Sequence, residues 1–189
     1  MRAVAGGGGD DGFHVVGKSK EKSKGGGARG PTVRLVVMVG PPGCGKSTTS
    51  ELFRRNGWVI VSQDELGSRQ DCEAAVFRSL SAQQQVVVDR TNIDQVQRSH
   101  WLGIARKLRM PENSIACLSF NVPLAVCKER VMSRKGHRTL PAERSSLDVV
   151  HRFFSTRVAP SKNEGFGAVV NVRDSNDPQI QKLMGGYLP

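Results

Sequence analysis

The stretch VRLVVMVGPPGCGKSTTSELFRRNG, Val33 to Gly57, joins three unlike segments whose order leaves few folds open. Val33 to Val39 is, Arg34 apart, an apolar, β-branched run of the kind that forms a strand buried on both faces. Gly40 to Ser47 fits the G-x-x-x-x-G-K-[ST] spacing of a phosphate-binding loop, and the segment after it reads as a helix stopped by Gly57. Strand, glycine-rich loop and helix in this order aim the backbone N–H groups of Gly43 to Ser47 at phosphate oxygens. Lys46 can then bridge the β and γ groups, and the Ser47 hydroxyl can ligate Mg²⁺. Gly40, Pro41, Pro42, Gly43, Cys44, Gly45, Lys46, Ser47 and Thr48 are therefore the candidate nucleotide-binding residues. Ser47 is the candidate metal ligand, and the implied cofactors are ATP or another nucleoside triphosphate (NTP) with Mg²⁺.

GFHVVGKS, Gly12 to Ser19, fits the same spacing, but its flanks cannot support the mechanism. GGGGDD precedes it, where no strand can form, and KEKSKGGG follows it, a charged stretch running into helix-breaking glycines. It reads as a chance match. Residues 1–31 are rich in Gly, Lys and Ser, with almost nothing to bury, and are expected to be a disordered tail. Of the 189 residues, 32–189 are then expected to form one globular domain.

The net charge of +11 is not confined to the tail: outside it, 22 Lys/Arg face 14 Asp/Glu, an excess that favours a polyanionic partner. Cys44, Cys72, Cys117 and Cys127 lie far apart, with no C-x-x-C and no nearby His pair. Neither a zinc site nor a disulfide framework is indicated, and reduced, partly buried thiols are expected. No apolar run suits a signal peptide or a membrane span, so an intracellular protein, nuclear or cytoplasmic and with no membrane partner, is expected.

Beyond the loop the chain alternates. Strands are predicted at Trp58–Ser62, Val86–Asp89, Ile115–Phe120 and Ala168–Val172, and helices at Gln70–Gln83, Gln95–Arg109, Leu124–Lys135 and Ser145–Arg157. This repetition predicts an α/β fold: a parallel sheet of about five strands sandwiched by helices, with ligands at the carboxyl ends of the strands. The chemistry should follow each strand. In SQDELGS, Asp64 can take the proton of an acceptor hydroxyl, or else cap the next helix. In DRTN, Asp89 can be a Walker-B-like ligand reaching Mg²⁺ through water or a group orienting the acceptor, or else an ordinary turn carboxylate. The run CKERVMSRKGHRTLPAER, Cys127 to Arg144, carries six Lys/Arg against two Glu and places Arg130 and Arg134 at i, i+4. These can clamp a triphosphate from a lid bracketed by Gly136 and Pro141, or form a solvated helix face.

GPPGCGKSTT, SQDELGSRQDC, DRTN, ERVMSRKGHRTLP and APSKNEGF, in this order, resemble the kinase domain of P-loop polynucleotide 5′-hydroxyl kinases, in particular that of the eukaryotic polynucleotide kinase/phosphatase. The resemblance covers roughly Val33 to Val172. It implies transfer of the NTP γ-phosphate to the 5′-hydroxyl of DNA or RNA, in nucleic-acid repair or RNA processing. In that scheme Lys46 and Ser47 hold phosphate and metal, Asp64 is the general base, and Arg134 with Arg130 stabilises the transition state. Asp89 lies near the acceptor. The chain departs from the pattern on the acceptor side: Gln63 stands where an arginine commonly precedes the base, Arg69 replaces an aromatic residue, and Arg90 replaces the asparagine of the usual DNTN. Asp64, Arg69, Asp89 and Arg90 are the candidate acceptor-binding residues. No D-x-D-G-[TS] phosphatase signature is present. Two other readings remain, a small-molecule P-loop kinase acting on a nucleoside or sugar and a nucleic-acid-binding NTPase module. The oligomeric state is left open.

Overall fold

The computed structural model describes residues 33–133 and 144–189. The expected tail with its GFHVVGKS match lies outside the described residues, as do Arg134 and the lid segment from Gly136 to Pro141.

Five strands, β1 (Leu35–Val39), β2 (Val59–Ser62), β3 (Val86–Asp89), β4 (Ile115–Phe120) and β5 (Ala168–Val172), form one parallel sheet in the order β2-β3-β1-β4-β5. Every residue of β1 and β4 is buried, because successive side chains enter different cores. Val36 and Met38 of β1 join Leu118 and Phe120 in one core, with Phe53, Cys127, Val150, Ile180 and Leu183. Leu35, Val37 and Val39 join Ile115 and Cys117 in the other, with Cys72, Val76, Leu80, Trp101 and Leu102.

Those partners come from α1 (Lys46–Arg55), α2 (Gln63–Leu66), α3 (Arg69–Ser81), α4 (Gln95–Lys107), α5 (Leu124–Ser133), α6 (Arg144–Thr156) and α7 (Pro178–Met184). α1, α5 and α7 cover one face of the sheet, and α3 and α4 the other. The predicted strands and helices are found within two residues of their ends, except that the predicted end of α5 at Lys135 lies outside the described residues. α2 and α7 were not predicted. α7 is capped by Asp177, starts on Pro178 and is held by Trp58 Nε1 donating to the Met184 carbonyl at 3.1 Å.

All four cysteines are buried and free. Burial pushes the Cys72 and Cys117 thiols up, and raises that of Cys127 to about 11, so none of the three is a ready thiolate at neutral pH.

An ion pair sits inside the fold. Arg98 of α4, fully buried, donates from Nε and Nη2 to Glu164 at 2.8 and 2.7 Å and from Nη1 to the Asn92 and Val158 carbonyls. Glu164 belongs to the NEGF turn, where its carboxylate also accepts from Ser161 N. Replacing Arg98 with Ala strands a buried carboxylate and two carbonyls, so unfolding in urea should show a loss on the order of 3–5 kcal/mol. An unchanged midpoint would mean that the pair is solvated in solution.

Candidate active site

The loop between β1 and α1 has no room for a side chain at two of its glycines, Gly40 and Gly43. A Cβ on Gly40 would lie 2.5 Å from Cys44 Sγ, and one on Gly43, whose φ is +82°, would lie 2.5 Å from the Cys127 carbonyl oxygen of α5. The loop is thus wedged between β1 and α5, with Cys44 buried inside it. Gly45, at φ +106°, turns the chain into α1.

α1 begins without a side-chain cap and without an acidic residue in its first turn, whereas Ser62, Ser68 and Asp94 cap α2, α3 and α4. Its first N–H groups and the positive end of its dipole therefore suit an anion. Lys46 Nζ donates to the Gly40 and Pro41 carbonyls at 2.8 and 3.0 Å, which lays the ammonium across the loop. Ser47 and Thr48 are exposed.

A cleft of ≈ 590 Å³ runs from this loop to the carboxyl ends of β2 and β3. Lys46, Ser47 and Ser50 line one side, and Ser62, Asp64, Asp89 and Arg90 line the other. Asp64 is the second residue of α2, but the cap of that helix is Ser62, whose Oγ accepts from Asp64 N at 3.3 Å. Capping of α3 falls to Ser68. The capping alternative for Asp64 is thereby removed, and its exposed carboxylate faces the cleft. Arg54 bridges Glu65 of α2 at 2.9 Å, an exposed tie along the rim worth little by itself.

The DRTN turn is stitched to the loop from beneath. Asn92, fully buried at φ +43°, donates to the Met38 carbonyl at 2.7 Å and accepts from Trp101 Nε1 at 2.8 Å, while Gly40 N donates to the Thr91 carbonyl. This fixes Asp89 and Arg90 against the phosphate loop. The Arg90 guanidinium lies 5.6 Å from the Trp101 ring centroid, and burial lowers its pKa. It makes no ion pair among the described residues.

Arg69 does not line the cleft. Its guanidinium is engaged by Glu73 at 2.9 Å and by the His100 ring, between α3 and α4. Arg130 is exposed and does not line the cleft, but its Nη1 lies 3.4 Å from the Gly43 carbonyl oxygen, so its side chain touches the phosphate loop.

The donor set fits Mg²⁺. Among the described residues no cluster of three His, Cys, Asp or Glu could cage a metal, but the Ser47 hydroxyl and the Asp89 carboxylate share the cleft. Mg²⁺ characteristically takes one or two protein oxygens and completes its shell with water and substrate phosphate. No helix among the described residues is long and apolar enough to cross a membrane.

Comparison with known proteins agrees with this architecture. The AAA domain family profile matches residues 35–75 and 68–156, well over half of the chain. The chain is 30% identical over 144 residues to the transcription factor bHLH140 of Arabidopsis thaliana, covering 72% of this chain and 15% of that protein. It is 29% identical over 140 residues to the bifunctional polynucleotide phosphatase/kinase of Schizosaccharomyces pombe, covering 73% of this chain and 33% of that one. The chain thus spans a third or less of the length of these relatives. Among solved structures, Chaetomium thermophilum Kti12 in complex with ADP-AlF3 superposes with a TM-score of 0.58 at 17% identity, over 80% of this chain and 95% of that one. Solved small-molecule kinases share the fold at similarly low identity. With the phosphate loop, the parallel five-stranded sheet and the profile match in agreement, the chain belongs to the AAA domain family and has the fold of a P-loop kinase.

Proposed function

We propose that this chain is a polynucleotide kinase that transfers the γ-phosphate of an NTP to the 5′-hydroxyl end of DNA or RNA. The observation that carries the reading is the single cleft in which Lys46 and Ser47 on one side meet Asp64, Asp89 and Arg90 on the other. A mere nucleotide-binding module has no use for an exposed carboxylate and a fixed arginine on the far side.

The triphosphate lies along the N-terminus of α1, its charge met by loop N–H groups and the Lys46 ammonium. Ser47 and Asp89 would hold Mg²⁺, which when bound neutralises charge on the phosphate oxygens. Asp64 accepts the proton of the 5′-hydroxyl as its oxygen bonds to phosphorus. Arg90, immobilised on Trp101, offers a forked cation to the first phosphodiester of the acceptor. Similarity to a bifunctional polynucleotide phosphatase/kinase and the basic charge of the domain support a polynucleotide acceptor.

The test is mass spectrometry of a 5′-hydroxyl oligonucleotide incubated with the protein, ATP and Mg²⁺. The oligonucleotide should gain one phosphate, and a 5′-phosphorylated control should gain none. In the same assay Arg90→Ala should raise the acceptor KM about tenfold or more with a smaller change in kcat. No mass gain on any 5′-hydroxyl end, with a nucleoside or sugar phosphorylated instead, favours the small-molecule reading that the shared fold also allows.

Arg130 is assigned to the charge developing on the transferred group. Arg130→Ala should lower kcat by roughly ten- to a hundredfold, and Arg130→Lys should rescue poorly, because an ammonium cannot reproduce a forked guanidinium. Wild-type kcat in the alanine variant would return Arg130 to the class of solvated helix residues. Arg134 shares the role in this proposal.

A further inference from the structure

Asp89 has a partner within the cleft wall. Ser50 Oγ donates to Asp89 Oδ2 at 2.6 Å, the short range of a charge-assisted hydroxyl–carboxylate bond. Ser50 lies three residues beyond Ser47 on α1, so the two hydroxyls fall on the same face of the helix, and both residues line the cleft. Unlike Ser47, Ser50 is only 5% exposed, which leaves it poorly placed to meet a ligand itself. Its other neighbour is the Met38 sulfur at 3.7 Å, a weak acceptor, so the hydroxyl proton has one good destination. Among the described residues no group donates to Asp89 Oδ1.

A carboxylate at a strand end can turn about its terminal torsion, and each rotation exchanges the oxygen it presents. Pinning Oδ2 to a buried hydroxyl removes that freedom and leaves Oδ1 as the oxygen available to the cleft. We propose that Ser50 is a positioning residue for the metal–nucleotide complex: it holds Asp89 so that Oδ1 is presented to Mg²⁺, directly or through water. The inference rests on the Mg–NTP reading of the cleft above and is independent of which acceptor is phosphorylated.

The test avoids turnover. A non-hydrolysable ATP analogue is titrated calorimetrically, with and without Mg²⁺, into the full chain and into Ser50→Ala, Ser50→Thr, Asp89→Asn and the Ser50→Ala/Asp89→Asn double variant. Affinities without Mg²⁺ should be nearly equal in the wild-type chain, Ser50→Ala and Ser50→Thr, and the Mg²⁺ enhancement of each variant is taken relative to its own Mg²⁺-free affinity. The enhancement produced by Mg²⁺ should fall about tenfold or more in Ser50→Ala, as when a group orienting a metal ligand is removed. Ser50→Thr, which keeps the hydroxyl, should restore most of it. Ser50→Ala should add almost nothing in the Asp89→Asn background, because its effect runs through Asp89.

A wild-type Mg²⁺ enhancement in Ser50→Ala overturns the proposal, and so does an equal loss in the Asp89→Asn background. Loss of affinity irrespective of Mg²⁺, accompanied by a lowered melting temperature, overturns it too and makes Ser50 a packing residue. If the wild-type chain binds the analogue with no Mg²⁺ enhancement at all, the metal–nucleotide reading itself fails, a result distinct from the others.

Discussion

Asp64→Asn is expected to lower phosphoryl transfer by roughly two to four orders of magnitude while leaving nucleotide affinity nearly unchanged. A 5′-hydroxyl is a poor nucleophile at neutral pH, and the substitution removes the basic oxygen while preserving the side chain's size. Ser62 and Ser68 cap α2 and α3, so no cap is lost. Asp64 does sit in the first turn of α2, and neutralising it there forfeits about 0.3–1 kcal/mol of dipole interaction, too little to unfold the domain. Kinetics with a 5′-hydroxyl oligonucleotide, beside calorimetry with a non-hydrolysable analogue, separate the two effects. Transfer at near the wild-type rate would move the search for the base to Asp89.

Lys46→Ala is expected to lower kcat by about a thousandfold or more, because it deletes the cation aimed at the charge that builds on the γ-phosphoryl group. The ammonium lies across the loop on the Gly40 and Pro41 carbonyls, so the side chain is already gathered where the phosphates would sit. Deleting residues 1–31 makes the informative control, since it removes GFHVVGKS entirely. The truncated chain should bind nucleotide and turn over short oligonucleotides within a few-fold of the full chain. Any contribution of the tail lysines to longer polyanions should fade as salt rises. Loss of nucleotide binding on truncation, with binding retained in Lys46→Ala, would show that the first match is the working loop.

How far the sequence reveals the molecule depends on the range of the interactions concerned. β1 and β4 are legible because a strand buried on both faces is almost wholly apolar, Ser119 being the one polar residue in either, and the phosphate loop because its glycines, lysine and flanks are contiguous. α2 is too short, at four residues, to show a period, and α7 offers only Ile180, Leu183 and Met184 as a buried stripe. The supports of the site are legible only in three dimensions. Asn92 reaches the Met38 carbonyl 54 residues away, and Arg98 pairs with Glu164 66 residues away, which gives the NEGF segment a structural role that its sequence does not announce. Ser50 is the less conspicuous of two serines in α1 until β3 brings Asp89 beside it. Arg69 shows the converse: the family resemblance implies an acceptor contact, but Glu73 stands four residues on and His100 faces it from α4, and both engage its guanidinium.

The most direct test of the central claim is the fate of the γ-phosphate itself. The full chain is incubated with γ-labelled ATP, Mg²⁺, a 5′-hydroxyl oligonucleotide and a mixture of nucleosides and sugars, and the label is partitioned among oligonucleotide, small acceptors and free phosphate. The proposed function predicts that label enters the 5′ end of the oligonucleotide, and that Asp64→Asn suppresses this transfer. Label that appears only in a small acceptor or only as inorganic phosphate, at the same rate with and without the oligonucleotide, would contradict it.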